Sequence, residues 1–154
     1  MEGKYFMHRI RKENGQYTKG IEIHDTLDSA VLSWHGQMKL ASPSSSVTFV
    51  SAKVTDGAGN IVKPYDGVWM NPNETDVKFF MHHIYNNGGS YTKDIDIFDT
   101  YDSAQAPYHA QLEYGYGNSK FQNVSFVSCL IDGMDGIVRM AETWNKQEPE
   151  PNAE

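Results

Sequence analysis

Six histidines occur in this chain, and four of them recur at a spacing of 74 residues: His8 with His82, and His35 with His109. An imidazole trades a proton near neutral pH and ligates divalent metals through its neutral nitrogen. Histidines held at a fixed spacing are therefore the first place to look for acid–base or metal chemistry. His35 and His109 are the weak catalytic candidates, as general bases of a small hydrolase or isomerase. No HExxH pattern and no two-histidine-plus-carboxylate spacing accompanies them, so no metal site and no cofactor is expected. The plainer reading makes His35 a structural ring at the edge of a helix–sheet contact, and His8 and His82 structural or surface residues of a strand. His83 adds a ring beside His82, but adjacent strand residues point to opposite faces and cannot share a site.

A second matched group is Tyr17-Thr18-Lys19 and Tyr91-Thr92-Lys93. Lys19 and Lys93 are candidates to hold an anionic ligand beside Tyr17 and Tyr91, against the simpler reading of a cross-strand aromatic next to a solvated lysine. Trp34 and its counterpart Tyr108 join the binding candidates, as do Tyr114 and Tyr116. The last two lie in the segment Tyr114-Gly115-Tyr116-Gly117, which replaces Leu40-Ala41-Ser42-Pro43 of the first copy. Tyrosine beside glycine in a loop suits an adaptable contact surface. Asp25-Thr26 and Asp99-Thr100 place acids and hydroxyls together, and helix capping accounts for them. Asp56–Asn60 resembles part of a calcium loop but is short and has no terminal glutamate, so it reads as a turn.

These pairs exist because the chain repeats itself. Tyr5–Lys39 lies over Phe79–Glu113 without a gap, with 17 identities in 35 pairs. VTFVSAKV then lies over VSFVSCLI, and Val68-Trp69 over Thr143-Trp144. Self-similarity on this scale means one supersecondary unit used twice.

Each copy reads as strand, strand, helix, strand, strand. Tyr5–Arg11 alternates, pauses at Asn14-Gly15 and resumes over Tyr17–Ile23, the signature of a type I′ hairpin, with Gly88-Gly89 at the same place in the second copy. After the Asp-Thr cap the period lengthens. Leu27, Ala30, Val31, Trp34 and Met38 form one helical stripe, matched by Tyr101, Ala104, Tyr108 and Leu112. Pro107 predicts a second helix that is kinked or starts later than the first, since proline lacks the amide donor and crowds the previous turn. Val47–Val54 and Val124–Ile131 are third strands, and short fourth strands end near Trp69 and Trp144.

The fold class is thus α+β: a tandem duplication of a ββαββ unit, with antiparallel sheets, one helix packed per unit and a pseudo-twofold arrangement. The repeats span 1–70 and 77–146, joined by a linker at 71–76 and followed by a disordered tail at 147–154. One helix covers one face of a four-stranded sheet, and a unit of roughly 70 residues buries little alone, so the other copy must cover the rest. Edge-to-edge sheets and helices packed across the axis are the two arrangements considered.

Composition limits function more than it specifies it. Thirteen basic against 20 acidic residues give a net charge of −7, which removes the usual electrostatic basis for binding nucleic acid. The basic run His8, Arg9, Arg11 and Lys12 reads as a solvated strand face. Cys129, the single cysteine, lies in an apolar run and permits no intrachain disulfide and no thiolate metal set. With no apolar stretch near 20 residues and no leader pattern, the expected setting is soluble and cytoplasmic, without membrane contact. The function expected is a non-enzymatic binding or accessory protein that sequesters a small ligand or docks onto a protein. The histidine-based enzyme and a structural or assembly role, with a homo-oligomer as one form of it, are the alternatives.

Overall fold

The computed structural model describes residues 3–42, 46–116 and 123–146; the expected 147–154 tail lies outside them. The first half runs β1 (Tyr5–Glu13), β2 (Gln16–His24), α1 (Leu27–Met38), β3 (Val47–Asp56) and β4 (Ile61–Met70). The second half repeats the order as β5 (Phe79–Asn87), β6 (Ser90–Phe98), α2 (Tyr101–Tyr116), β7 (Val124–Gly133) and β8 (Val138–Asn145). Two antiparallel sheets result, ordered β2-β1-β3-β4 and β6-β5-β7-β8. The expected ββαββ duplication is therefore present. The fourth strands are full-length rather than short, with β4 covering ten residues.

Local chemistry sets the shared elements. The β1–β2 turn holds Asn14 at φ 52° and Gly15 at φ 79°, and the β5–β6 turn holds Gly88 at 63° and Gly89 at 95°. A two-residue type I′ loop requires positive φ at both places, where glycine and asparagine fit without steric cost. Each helix is capped by a threonine: Thr26 Oγ1 accepts from the Ser29 amide and Thr100 Oγ1 from the Ser103 amide, both at 3.1 Å. The pairs Lys4–Asp25 and Lys78–Asp99 tie the start of each first strand to the approach to its helix.

α2 starts at Tyr101, the counterpart of Leu27, and carries Pro107 inside it, so the later start expected from that proline does not occur. Buried Ala104, Tyr108 and Leu112 flank the proline on the sheet-facing side, and their packing outweighs one lost amide bond. Tyr114–Tyr116 form the last turn of this helix rather than a loop.

The halves join sheet face to sheet face, an arrangement not among the two considered. Strand alternation sends Phe6, His8 and Ile10 of β1 toward the second sheet, and Phe80, His82 and Ile84 of β5 toward the first. Phe6, Ile10, Ile21, Phe49, Phe80, Ile84, Ile95, Phe126 and Met134 form one buried core between the sheets. Two further cores lie outside it: α1 with Met7, Ala52 and Val54, and α2 with Met81, Val127 and Ile131. The layers therefore run helix, sheet, sheet, helix. The contacts come in exchanged pairs, as a twofold relation requires. Phe6 stacks on Phe126 at 5.7 Å and Phe80 on Phe49 at 5.6 Å, while Phe6 meets Tyr91 edge-on and Phe80 meets Tyr17 likewise.

Candidate functional site

At the centre of this apolar seam lies a buried polar chain. His8 and His82 approach Nδ1 to Nδ1 at 3.0 Å. His8 Nε2 lies 2.8 Å from Thr55 Oγ1, and His82 Nε2 lies 2.9 Å from Asp132 Oδ1. The other Asp132 oxygen accepts from Lys53 Nζ. All five residues are at most 3% exposed. Thr55 and Asp132 occupy equivalent strand positions, so each histidine reaches the same place in its own repeat. Lys53 has no such equivalent, since Leu130 stands there in the second copy.

Burial alone would push the Asp132 carboxyl up, but His82 and Lys53 outweigh it and bring its pKa down to about 2. Burial first, then the neighbouring His82 and Lys53, hold the His8 imidazole well below the ordinary histidine value, against a smaller upward pull from Asp132. One assignment satisfies every polar atom with a single direction of donation. Thr55 O–H gives to His8 Nε2, His8 Nδ1–H to His82 Nδ1, His82 Nε2–H to Asp132, and Lys53 to the same carboxylate. The cluster is then neutral overall, as a deeply buried site favours.

The basic run of the first strand is therefore not one solvated face. His8 and Lys12 point inward and are buried, with Lys12 Nζ bonded to Glu74 at 3.0 Å. Arg9 turns outward to Glu22 at 3.2 Å and Arg11 to Glu13 at 3.4 Å. His83, as alternation requires, leaves the seam for the helix side of its sheet, where it meets Asp96 at 3.2 Å.

The other candidates are spread over the molecule. His35 and His109 are exposed on the outer helices, one per helix, and among the described residues neither ring has a hydrogen-bond partner. Each lies edge-on to its neighbour, Trp34 or Tyr108. Tyr17 and Tyr91 pack at the margin of the inter-sheet core. Lys19 reaches Asp94 of the other repeat at 3.4 Å. Lys93 is exposed, and the residue equivalent to Asp94 in the first copy is Gly20, which offers it no acid. Trp34 donates from Nε1 to the Ala52 carbonyl at 2.8 Å, and Tyr108 is fully buried under α2. Cys129 is buried beneath the same helix, where burial, with Glu142 next, pushes its thiol up to about 12. An open dent of about 260 Å³ lies beside Lys4, Asp56, Gly57 and Asn145, at the small end for a ligand pocket.

Tyr114 and Tyr116 differ from each other. Tyr114 stacks on Tyr85 at 4.5 Å, closing the core at the end of the helix. Tyr116 is 56% exposed, and its hydroxyl donates to Glu142 at 2.6 Å while its ring meets Trp144 edge-on at 6.4 Å. Gly115 between them is buried, and a Cβ there would come within 2.6 Å of the Trp144 ring. The first copy has Ser42 and Gly67 where the second has Tyr116 and Glu142. Among the described residues no group of three or more His, Cys, Asp or Glu is placed to hold a metal ion, and no helix is long and apolar enough to cross a membrane.

Compared with protein-family models, with curated proteins and with solved structures, the chain matches none.

Proposed function

We propose that this protein is a non-enzymatic docking module that binds a protein partner through the end of α2 and the neighbouring edge of β8. One observation carries the reading: Tyr116 is exposed yet held in one orientation by Glu142 and Trp144. An aromatic ring whose rotamer is already fixed loses little entropy on binding, and such residues dominate the energy of protein interfaces. Tyrosine also offers an apolar face with a polar tip, suited to a surface that is wet when free and dry when bound.

The rest of the molecule is consistent with this assignment of roles. The inner sheet faces are occupied by each other, with stacked phenylalanines filling the space a small ligand would need. Docking onto a protein is therefore preferred to sequestering a small molecule. The end of α2 carries Tyr114 and Tyr116 where the first copy has Leu40 and Ser42.

The test replaces Tyr116 with a photo-crosslinking amino acid in the full chain, expressed in its own host, with His35 replaced in a parallel sample. A discrete adduct at position 116 that is absent at position 35, and that disappears when Glu142→Ala is added, supports the reading. Identical products at both positions, or none at 116, remove it.

A further inference from the structure

We propose that the seam between the two sheets is an acid-released latch: proton uptake at the His8–His82 contact drives the two repeats apart and uncovers the phenylalanine core between them.

Four ring nitrogens are present and all are occupied: the two Nδ1 atoms by each other at 3.0 Å, and the two Nε2 atoms by Thr55 Oγ1 and Asp132 Oδ1. With two protons on the pair, every contact has one donor and one acceptor. A third proton fits only if Thr55 turns to accept from His8 Nε2–H, with either ring then carrying both of its protons. The hydrogen bonds survive, but the cluster becomes a buried net cation alongside Lys53. A fourth proton cannot be accommodated, because both Nδ1 atoms would then carry hydrogens aimed at each other across 3.0 Å. Two imidazolium ions in contact repel strongly in a site this deeply buried.

Among the described residues, the neighbouring elements supply no second acid to relieve this. β3 contributes Lys53 and Thr55, and β7 contributes Asp132, which Lys53 already shares. β2 and β6 place Ile21 and Ile95 opposite the two histidines, with the Lys19–Asp94 pair at the margin. On β4, Asp66 lies opposite Lys53 and is paired with Lys63; on β8, Arg139 is engaged by Asp135. Lys12 lies farther along β1 and is held by Glu74. His83 on β5 faces the other side of the sheet, toward Asp96.

Once the sheets part, both rings meet water and take protons near the ordinary value of about 6.5. The open form then holds one to two more protons than the closed one. The sign follows from linkage: stability falls as pH drops below about 6.5, and the open-to-closed ratio rises about tenfold per pH unit for each extra proton. The two outer cores and the Lys4–Asp25 and Lys78–Asp99 pairs lie within single repeats, so parting the seam breaks none of them directly.

The experiment measures urea unfolding and binding of a hydrophobic dye to the full chain between pH 7.5 and 4.5, for the wild type and for His8→Asn. The asparagine amide keeps a donor near the Nδ1 position but does not titrate. The expected wild-type unfolding constant rises at least tenfold per unit below pH 6.5, with dye binding rising alongside, and the variant loses about one tenfold step per unit. Parallel curves for the two proteins, or a wild-type constant unchanged from pH 7 to 5, overturn the proposal. Imidazole ¹⁵N NMR of the wild type decides the matter if the variant does not fold. At most one of the two rings carries a second proton while the amide spectrum stays native; two imidazolium rings under a native amide spectrum also overturn the proposal.

Discussion

Lys53 of the first repeat and Asp132 of the second form an ion pair between the sheets, from positions whose repeat counterparts are Leu130 and Thr55. The pair therefore exists only because the copies diverged at two places in complementary ways. Two like first halves would bury two lysines with no acid, and two like second halves would bury two aspartates with no lysine. The pairing of unlike halves is thus favoured by charge.

Removing only Lys53 leaves a buried carboxylate without its lysine partner. Lys53→Met is expected to cost about 3–5 kcal/mol, whereas adding Asp132→Asn, whose amide oxygen still accepts from His82, is expected to recover most of it. Urea midpoints of the two single variants and the double variant check this cycle. A double variant no better than Lys53→Met alone contradicts the assigned role of the charge.

Asp132 sets a second, more acidic limit on stability. Its folded pKa lies near 2, below the usual carboxyl value, so its contribution is present above about pH 4 and is lost as pH falls toward 2. Asp132→Asn should flatten the stability curve between pH 4 and 2.5 while leaving the histidine-dependent fall below pH 6.5 in place. Equal slopes for wild type and variant in the lower window would contradict the carboxylate's pairing.

The phenylalanines of the seam should couple by their stacked partners. Phe6→Ala and Phe80→Ala are each expected to cost about 3–5 kcal/mol, and by similar amounts, because the twofold relation gives them equivalent surroundings. Combining Phe6→Ala with Phe126→Ala should show a coupling of about 0.5–1.5 kcal/mol. Phe6→Ala with Phe49→Ala, which belong to different stacks, should be closer to additive. Thermal or urea unfolding of the four singles and two doubles distinguishes the pairs.

Gly115 tests the packing at the end of α2. Alanine is the better helix former by about 1 kcal/mol, but the new methyl would meet the Trp144 ring. Displacing a packed indole costs about 1–3 kcal/mol, so Gly115→Ala is expected to destabilise on balance and to change tryptophan fluorescence. A stabilised variant with an unchanged emission spectrum would place Trp144 elsewhere.

The hairpin turns and the threonine helix caps were legible in the sequence because their determinants are local. Asn14-Gly15, Thr26 and Thr100 act within a few residues of themselves, and alternation in β1 needs only β1. The polar seam was not legible for the opposite reason. Phe49, Ser51, Lys53 and Thr55 share one face of β3, and a serine, a lysine and a threonine there read as a solvated side unless the cover over that face is known. His8, between Phe6 and Ile10, has the same ambiguity. A signal was present in the repeat alignment, where lysine becomes leucine and threonine becomes aspartate two residues apart, moving charge from one copy to the other. The Tyr114–Tyr116 segment misled differently: its glycine suggested a loop, whereas Gly115 stays helical and leaves room for an indole.

A fused dimer with identical halves offers each of its surfaces twice. Tyr116 and Glu142 face Ser42 and Gly67 across the repeat relation, so the aromatic end of α2 has no twin at the end of α1. The molecule keeps the inner symmetry that builds its core while presenting this outer feature once. A partner that recognises it would meet one docking place per chain, giving a stoichiometry of one to one and no means of chaining partners together.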